Sequence, residues 1–211
     1  MSKLFLGSRK KISFALKSSR KGQILLTGTI LPKIYKAYKE FIKLGLVEDN
    51  KPKIYGAQAD GCNPVVKALH EGQELFHPQK PNTIAKSIAI GNPADGYYVL
   101  KDIKDSGGWG ESASDQEILD AVKLLGRTEG IFTEPAGGTT LACAIKLIQS
   151  GRIPRDESIC VCITGNGLKT VEVMQGQFAA NPTIKAKMAG FDELVKQMEE
   201  KHPSQTPATT A

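Results

Sequence analysis

The run Ile159-Cys160-Val161-Cys162-Ile163 is apolar on both of its alternating faces and leads straight into Thr164-Gly165-Asn166-Gly167. A strand with no polar face has nothing to give to water, so it is expected in the middle of a sheet covered by helices on both sides. The same succession of apolar run, glycine turn and helical pattern recurs along the chain. A short strand over residues 23–27 is ended by Gly28, and Ile30, Ile34, Tyr38 and Phe41 then recur at helical spacing, with Pro32 in the first turn and Gly45 past the end near Leu44. A second unit runs from a strand at 53–58 through a turn at 60–63 into a helix over 64–71 with Pro64 at its first position.

Further along, residues 72–83 are rich in Pro, Gln and His and read as a connecting loop. The apolar run at 97–104 reads as a strand, and the SGGWG that follows reads as irregular. Ser114 and Glu117 stand in capping-box spacing, which predicts a helix over 115–125 that Gly126 stops. A short strand at 131–133, a Gly-containing turn and a helix over 139–149, closed by Gly151, come before the strand at 159–163. Strands alternating with helices predict an α/β fold with a mostly parallel sheet flanked by helices, in which ligands collect at the carboxyl ends of the strands. The expected organisation is a disordered basic leader over 1–22, one partial α/β domain over 23–198, and a disordered tail over 199–211.

The formal charge of +6 is concentrated in the leader, where residues 1–22 hold seven Lys or Arg and no acid, leaving 21 basic against 22 acidic residues in the rest. A nucleic-acid binder places its basic residues on a face of the fold, so no nucleic-acid partner is expected. The leader fits an organellar transit peptide and equally a non-native start on a truncated reading frame. No apolar run reaches the roughly 18 residues needed to span a bilayer. The expectation is a soluble, cytoplasmic protein with no membrane partner, organellar import by the leader being the other reading. Cys62 and Cys143 are solitary, and Cys160-x-Cys162 without a second pair is poor zinc spacing. Buried, reduced thiols and no metal are expected.

Three glycine turns follow strands: Thr27-Gly28-Thr29, Glu134-Pro135-Ala136-Gly137-Gly138 and Thr164-Gly165-Asn166-Gly167. Alone, each reads equally well as a plain reversal of the chain. A dinucleotide site is disfavoured, since Gly165-Asn166-Gly167 lacks the third glycine at the required distance and a suitable acid downstream.

Together with their neighbours they are more specific. IYGAQADGCNP, SGGWGESASDQEI, EGIFTEPAGGTTLACAIKLIQSGRI and CITGNGLK occur in the order and approximate spacing of the threonine synthases. From about Ile24 to Met198 the chain resembles the C-terminal half of that family, which has the tryptophan-synthase β fold (fold type II). The resemblance implies a pyridoxal-phosphate cofactor and conversion of O-phosphohomoserine, an amino-acid substrate, and water into threonine and phosphate. Threonine dehydratase or another type II lyase is the alternative activity, and a non-catalytic binding remnant the alternative class.

The resemblance also implies cofactor-binding residues. Gly28 and Thr29 match the family's phosphate loop, whereas Leu26 and Thr27 do not; Glu134 lines the pocket, and the Thr164 hydroxyl meets the pyridine nitrogen. Leu26, Gly28, Thr29, Glu134 and Thr164 are expected to gather at the carboxyl ends of the strands. The plain alternatives are a turn at Gly28, a helix-dipole role for Glu134 and a helix cap at Thr164. The family's Schiff-base lysine lies in a Ser-x-Lys-Asp motif that would precede Gln23, and no such motif occurs here. Lys17 is rejected for its spacing and because no Asp follows it. No catalytic residue is therefore assigned. The expected state is a truncated or split form, inactive alone, whose partner is a separately encoded N-terminal half or a second copy in a homodimer.

Overall fold

The computed structural model describes residues 23–26, 28, 30–178 and 182–201. The leader at 1–22, Thr27, Thr29 and the segment at 202–211 lie outside the described residues. The chain divides into two compact units after Met174.

In the first unit, strands β1 (Gln23–Leu26), β2 (Lys53–Ala59), β3 (Gly110–Ala113) and β4 (Ile159–Val161) form one sheet in the order β3-β2-β1-β4, so β4, expected over 159–163 in the middle of the sheet, is a shorter strand at the edge of these four. Every pairing is parallel: Gln23 stands opposite Lys53 on one side and Ile159 on the other, and Gly56 stands opposite Gly110. Helices α1 (Ile30–Lys43), α2 (Pro64–His70), α3 (Gly96–Asp105), α4 (Asp115–Glu129) and α5 (Pro135–Gln149) cover it. Leu31, Tyr35, Val65, Leu69, Leu100 and Ile103, from α1 to α3, pack with Ile54 of β2. Tyr55, Ala57 and Ala59 alternate with Ile54 and join Ile118, Leu125, Leu141 and Leu147 of α4 and α5. This is the three-layer α/β arrangement with a parallel sheet. The second unit contains helix α6 (Met188–Lys201), which extends into the segment expected as tail. No helix among the described residues is long and apolar enough to cross a membrane.

Several local expectations are corrected. Residues 97–104 are not a strand but most of α3, because Gly96, Leu100 and Ile103 are buried at helical spacing while Tyr97 and Tyr98 are exposed. Gly56 lets this helix come close: a Cβ there would stand 2.8 Å from Ile103 Cδ1. The unforeseen β3 has the sequence GESA, with no apolar alternation, and it pairs along β2 because Gly110 fits beneath Val66 and Leu69. Gly126 does not stop α4, which runs to Glu129 and ends on Gly130 in the left-handed conformation, φ 68°. Residues 131–133 form no strand; Thr133 makes a single antiparallel bridge to Asn166. Helix α5 starts at Pro135 rather than Thr139, since Gly137 and Gly138 are helical contact points: a Cβ on Gly138 would stand 2.8 Å from the Ile118 carbonyl of α4.

Candidate functional site at the carboxyl ends of β1 and β4

The four strand ends differ in what they hold. At the end of β2, Gln58 Oε1 accepts hydrogen bonds from Val65 N at 3.0 Å and Val66 N at 2.9 Å, satisfying the first turn of α2 internally. Asp60 accepts from the Ser112 hydroxyl, which in turn accepts from Asn63 Nδ2 at 3.2 Å. The loop following α2 closes over this end through Asn63 N to Gln79 Oε1 at 3.0 Å and Asn82 N to Gly61 O at 2.9 Å. At the end of β3 the capping box is complete: the Ser114 hydroxyl accepts from Glu117 N and Glu117 Oε2 accepts from Ser114 N at 2.7 Å. The Ser114 backbone N–H is the main reason the Glu117 carboxyl titrates below its ordinary range.

The end of β1 is open at Gly28, whereas the turn beyond β4 is tied to residues 132–134 and leaves Thr164 exposed. Gly28 has φ 71° and is exposed, and a Cβ there would meet nothing within 4 Å. The last paired positions of these adjacent strands are Leu25 and Val161, and three residues beyond each stand Gly28 and Thr164. Thr164 is exposed and does not cap the following turn, because Asn166 does: its Oδ1 accepts from Leu168 N at 2.9 Å.

Glu134 is brought to the same end by the N-terminus of α5, where it is the N-cap residue without a side-chain cap bond. Its backbone N–H donates to Gly165 O at 3.2 Å, the Thr133 hydroxyl donates to the same oxygen at 3.0 Å, and Gly167 N donates to Phe132 O at 3.0 Å. These bonds stitch residues 132–134 to 165–167. The Glu134 side chain is only 8% exposed and its Oε2 lies 3.7 Å from Lys169 Nζ. Its carboxylate occupies the space a Cβ on Gly165 would need, which is why glycine follows Thr164. Thr170 Oγ1 is buried with no hydrogen-bond partner, the single such side-chain atom among the described residues.

The structure thus brings Gly28, Glu134 and Thr164 to one end of the sheet, while Thr29 lies outside the described residues. Sequence reading missed Thr133, Gly165 and Lys169; the signal for the last two was their place within TGNGLK. What this end offers a ligand is an open left-handed turn at Gly28 and an exposed hydroxyl at Thr164 that caps nothing. The first turn of α1 offers an anion little, since Leu31 N is turned toward Gly28 O at 3.4 Å and Pro32 has no N–H.

Parallel α/β sheets bind their ligands at the carboxyl ends of the strands, and residues 26–165 match the family model of pyridoxal-phosphate dependent enzymes. The chain belongs to that family. Among curated proteins it is similar to threonine synthases: 46% identical over 137 residues to that of Methanocaldococcus jannaschii, covering 64% of this chain and 34% of that protein. It is 42% identical over 123 residues to that of Bacillus sp. (strain ULM1), covering 58% of this chain and 33% of that protein. The chain spans about a third of the length of these relatives. Among solved structures it shares its fold with maize serine racemase, at TM-score 0.57 and 20% identity over 75% of this chain and 48% of that one. It does so too with a fungal L-serine ammonia-lyase from Rhizomucor miehei, at TM-score 0.57 and 18% identity over 80% of this chain and 53% of that one. The fold is that of the type II pyridoxal-phosphate enzymes.

Proposed function

We propose that this chain forms one wall of the pyridoxal-phosphate cleft of a threonine-synthase-type enzyme, converting O-phosphohomoserine and water into threonine and phosphate. The observation that carries the reading is the matched placement of Gly28 and Thr164 beyond two adjacent parallel strands, with Glu134 tied to Gly165 beside them. The identity to threonine synthases over the same segment supports it.

When bound, the cofactor supplies an electron sink for carbanion chemistry on an amino-acid substrate. Thr164 would meet the ring nitrogen with a neutral hydroxyl, which leaves that nitrogen largely unprotonated. Gly28 and Thr29 would face the phosphate, where the left-handed turn keeps side chains out of the way. Glu134, buried and paired with Lys169, packs against Gly165 and would hold the turn that presents Thr164. No Ser-x-Lys-Asp motif occurs in this sequence, so in this reading the cofactor-linking lysine belongs to the part of a threonine synthase that these residues do not match. The chain alone then neither turns over substrate nor holds the cofactor firmly.

The test mixes the purified chain with pyridoxal phosphate, alone and with a separately expressed N-terminal half of a threonine synthase. The expected result is protein-bound visible absorbance and phosphate release from O-phosphohomoserine only in the mixture. Borohydride trapping of the cofactor at a single lysine of this chain with turnover would overturn the reading. So would an added half that changes neither absorbance nor thermal unfolding.

A further inference from the structure

The two edges of the sheet are finished differently. Along β3, side chains take up the backbone of Ser112: its N–H donates to Glu111 Oε1 at 3.0 Å and its carbonyl accepts from Lys146 Nζ at 2.7 Å. Along β4 the run 159–163 holds no charge and no proline, and among the described residues its backbone bonds only to β1. Ile159, Val161 and Ile163 join the core around Leu141 and Leu147, while Cys162 packs on the other face against the core around Leu31 and Ile54. Both faces are thus covered, yet of the five residues only Val161 is fully buried. Folded proteins blunt or cover such an edge, and only another strand offers it both hydrogen bonds and apolar faces. We propose that residues 12–16 of this chain's own leader, Ile12-Ser13-Phe14-Ala15-Leu16, pair antiparallel with β4 and complete that edge.

The place where the leader enters the sheet supports this. Gln23 opens β1 and stands opposite Ile159, the first residue of β4, in a parallel pair. A segment that precedes Gln23 and lies on the far side of β4 therefore reaches the amino end of that strand last, and runs antiparallel to it. The step from beyond β4 to β1 crosses two strand spacings, about 10 Å, and residues 17–22 reach about 20 Å. A second copy of this chain or a strand of another protein meets the same edge without that tether, which gives the leader a local concentration on the order of mM.

The side chains fit the same register. With Phe14 opposite Val161, Ile12 falls opposite Ile163 and Leu16 opposite Ile159, so the three large apolar side chains share the face that holds Leu141 and Leu147. Ser13 and Ala15 fall opposite Cys162 and Cys160, small residues against small ones. A slip of one residue would exchange the two sets. The crossing residues Lys17, Arg20 and Lys21 pass the amino end of β4, where Asp156 and Glu157 precede the strand and Asp156 is exposed. Arg155 stands one residue further out, and Arg152 is laid over the Trp109 ring at 3.8 Å, so the charges next to the crossing are the two acids. The pairing concerns the edge of the sheet and does not rest on the cofactor reading.

The experiment follows amide hydrogen exchange of the full chain by mass spectrometry, with light scattering on the same samples. In the wild type, residues 12–16 and 159–163 should both be protected in a monomer. Phe14→Asp should speed exchange about tenfold or more in 12–16 and at the outward amides of 159–163, and leave the peptide over 110–113 unchanged. Phe14→Ser should do the same to a lesser degree should the aspartate disturb folding. Residues 12–16 that exchange as free chain in the wild type would refute the proposal, as would a Phe14→Asp variant whose 159–163 exchange is unchanged. An edge protected only in a dimer at rising concentration, with 12–16 free, would give β4 to a second copy and refute it equally.

Discussion

The two halves of the sheet end differently. Beyond β2 and β3 the chain supplies its own acceptors: the Gln58 amide holds the first turn of α2, Ser114 and Glu117 hold α4, and the loop through Gln79 and Asn82 lies over Gly61. Beyond β1, Gly28 is exposed and has empty space where a side chain would stand, and beyond β4 Thr164 is exposed while Gly165 and Gly167 pack against Glu134 and Phe132. Both halves use the same strand–turn–helix unit and glycines in the turns. The difference lies in occupancy, so a strand end becomes a site where the sequence leaves helix starts and hydroxyls unspent.

That contrast sets a scale of expected effects. Gly61→Ala should be the most damaging, because its Cβ would be driven into the Asn82 carbonyl, a backbone atom that cannot swing aside. About 3 kcal/mol of stability should be lost in denaturant unfolding, and a loss below about 1 kcal/mol would mean the closed half is not tightly filled. Gln58→Ala strips the acceptor from the Val65 and Val66 N–H groups and should cost about 2 kcal/mol by the same measurement.

Ser114→Ala breaks the capping box and should cost about 1.5 kcal/mol in thermal or urea unfolding. The partner of that box sets an acid limit. Since the Glu117 carboxyl is lowered on folding, its contribution is complete above its unfolded value of 4.5 and disappears as pH falls through the folded value. Glu117→Gln should therefore flatten this part of the stability profile below pH 4.5, and an unchanged slope would remove Glu117 from the account.

In the open half, Gly28→Ala meets no atom and pays only for its left-handed backbone, about 1 kcal/mol. A cost equal to that of Gly61→Ala would erase the distinction between the halves. Thr164→Val should be the mildest, within about 0.5 kcal/mol, since the residue is exposed and caps nothing. In the mixture with an N-terminal half, the same variant should reduce cofactor absorbance, and full absorbance would detach Thr164 from the proposed site.

Much of this was legible in the sequence where one local pattern had one meaning. The stripe Ile30, Ile34, Tyr38 gave α1, Pro64 opened α2, and Ser114 with Glu117 placed the start of α4. Reading failed where tertiary contacts chose between local options. Tyr97-Tyr98-Val99 has strand composition, yet burial of Leu100 and Ile103 selects a helix. Gly-Glu-Ser-Ala has no strand pattern, and only its fit along β2 makes it one. Gly137 and Gly138 looked like a turn because glycine is usually punctuation, whereas here it lets α5 approach α4. For the site, the motifs pointed to Gly28, Glu134 and Thr164, but the bonds joining 132–134 to 165–167 connect positions far apart in sequence and left no local trace.

Helix α5 has a consequence for how this wall comes into being. Its first ten residues, Pro135 to Ala144, are all buried, yet two glycines and two threonines make that stretch a poor helix former in isolation. Its order must be borrowed from β3, α4 and the sheet, so it condenses only when those layers have already met. Glu134 and Gly165, joined by a backbone hydrogen bond, depend on the same packing for their placement. A ligand that binds this wall therefore binds only the packed state and stabilises it by mass action.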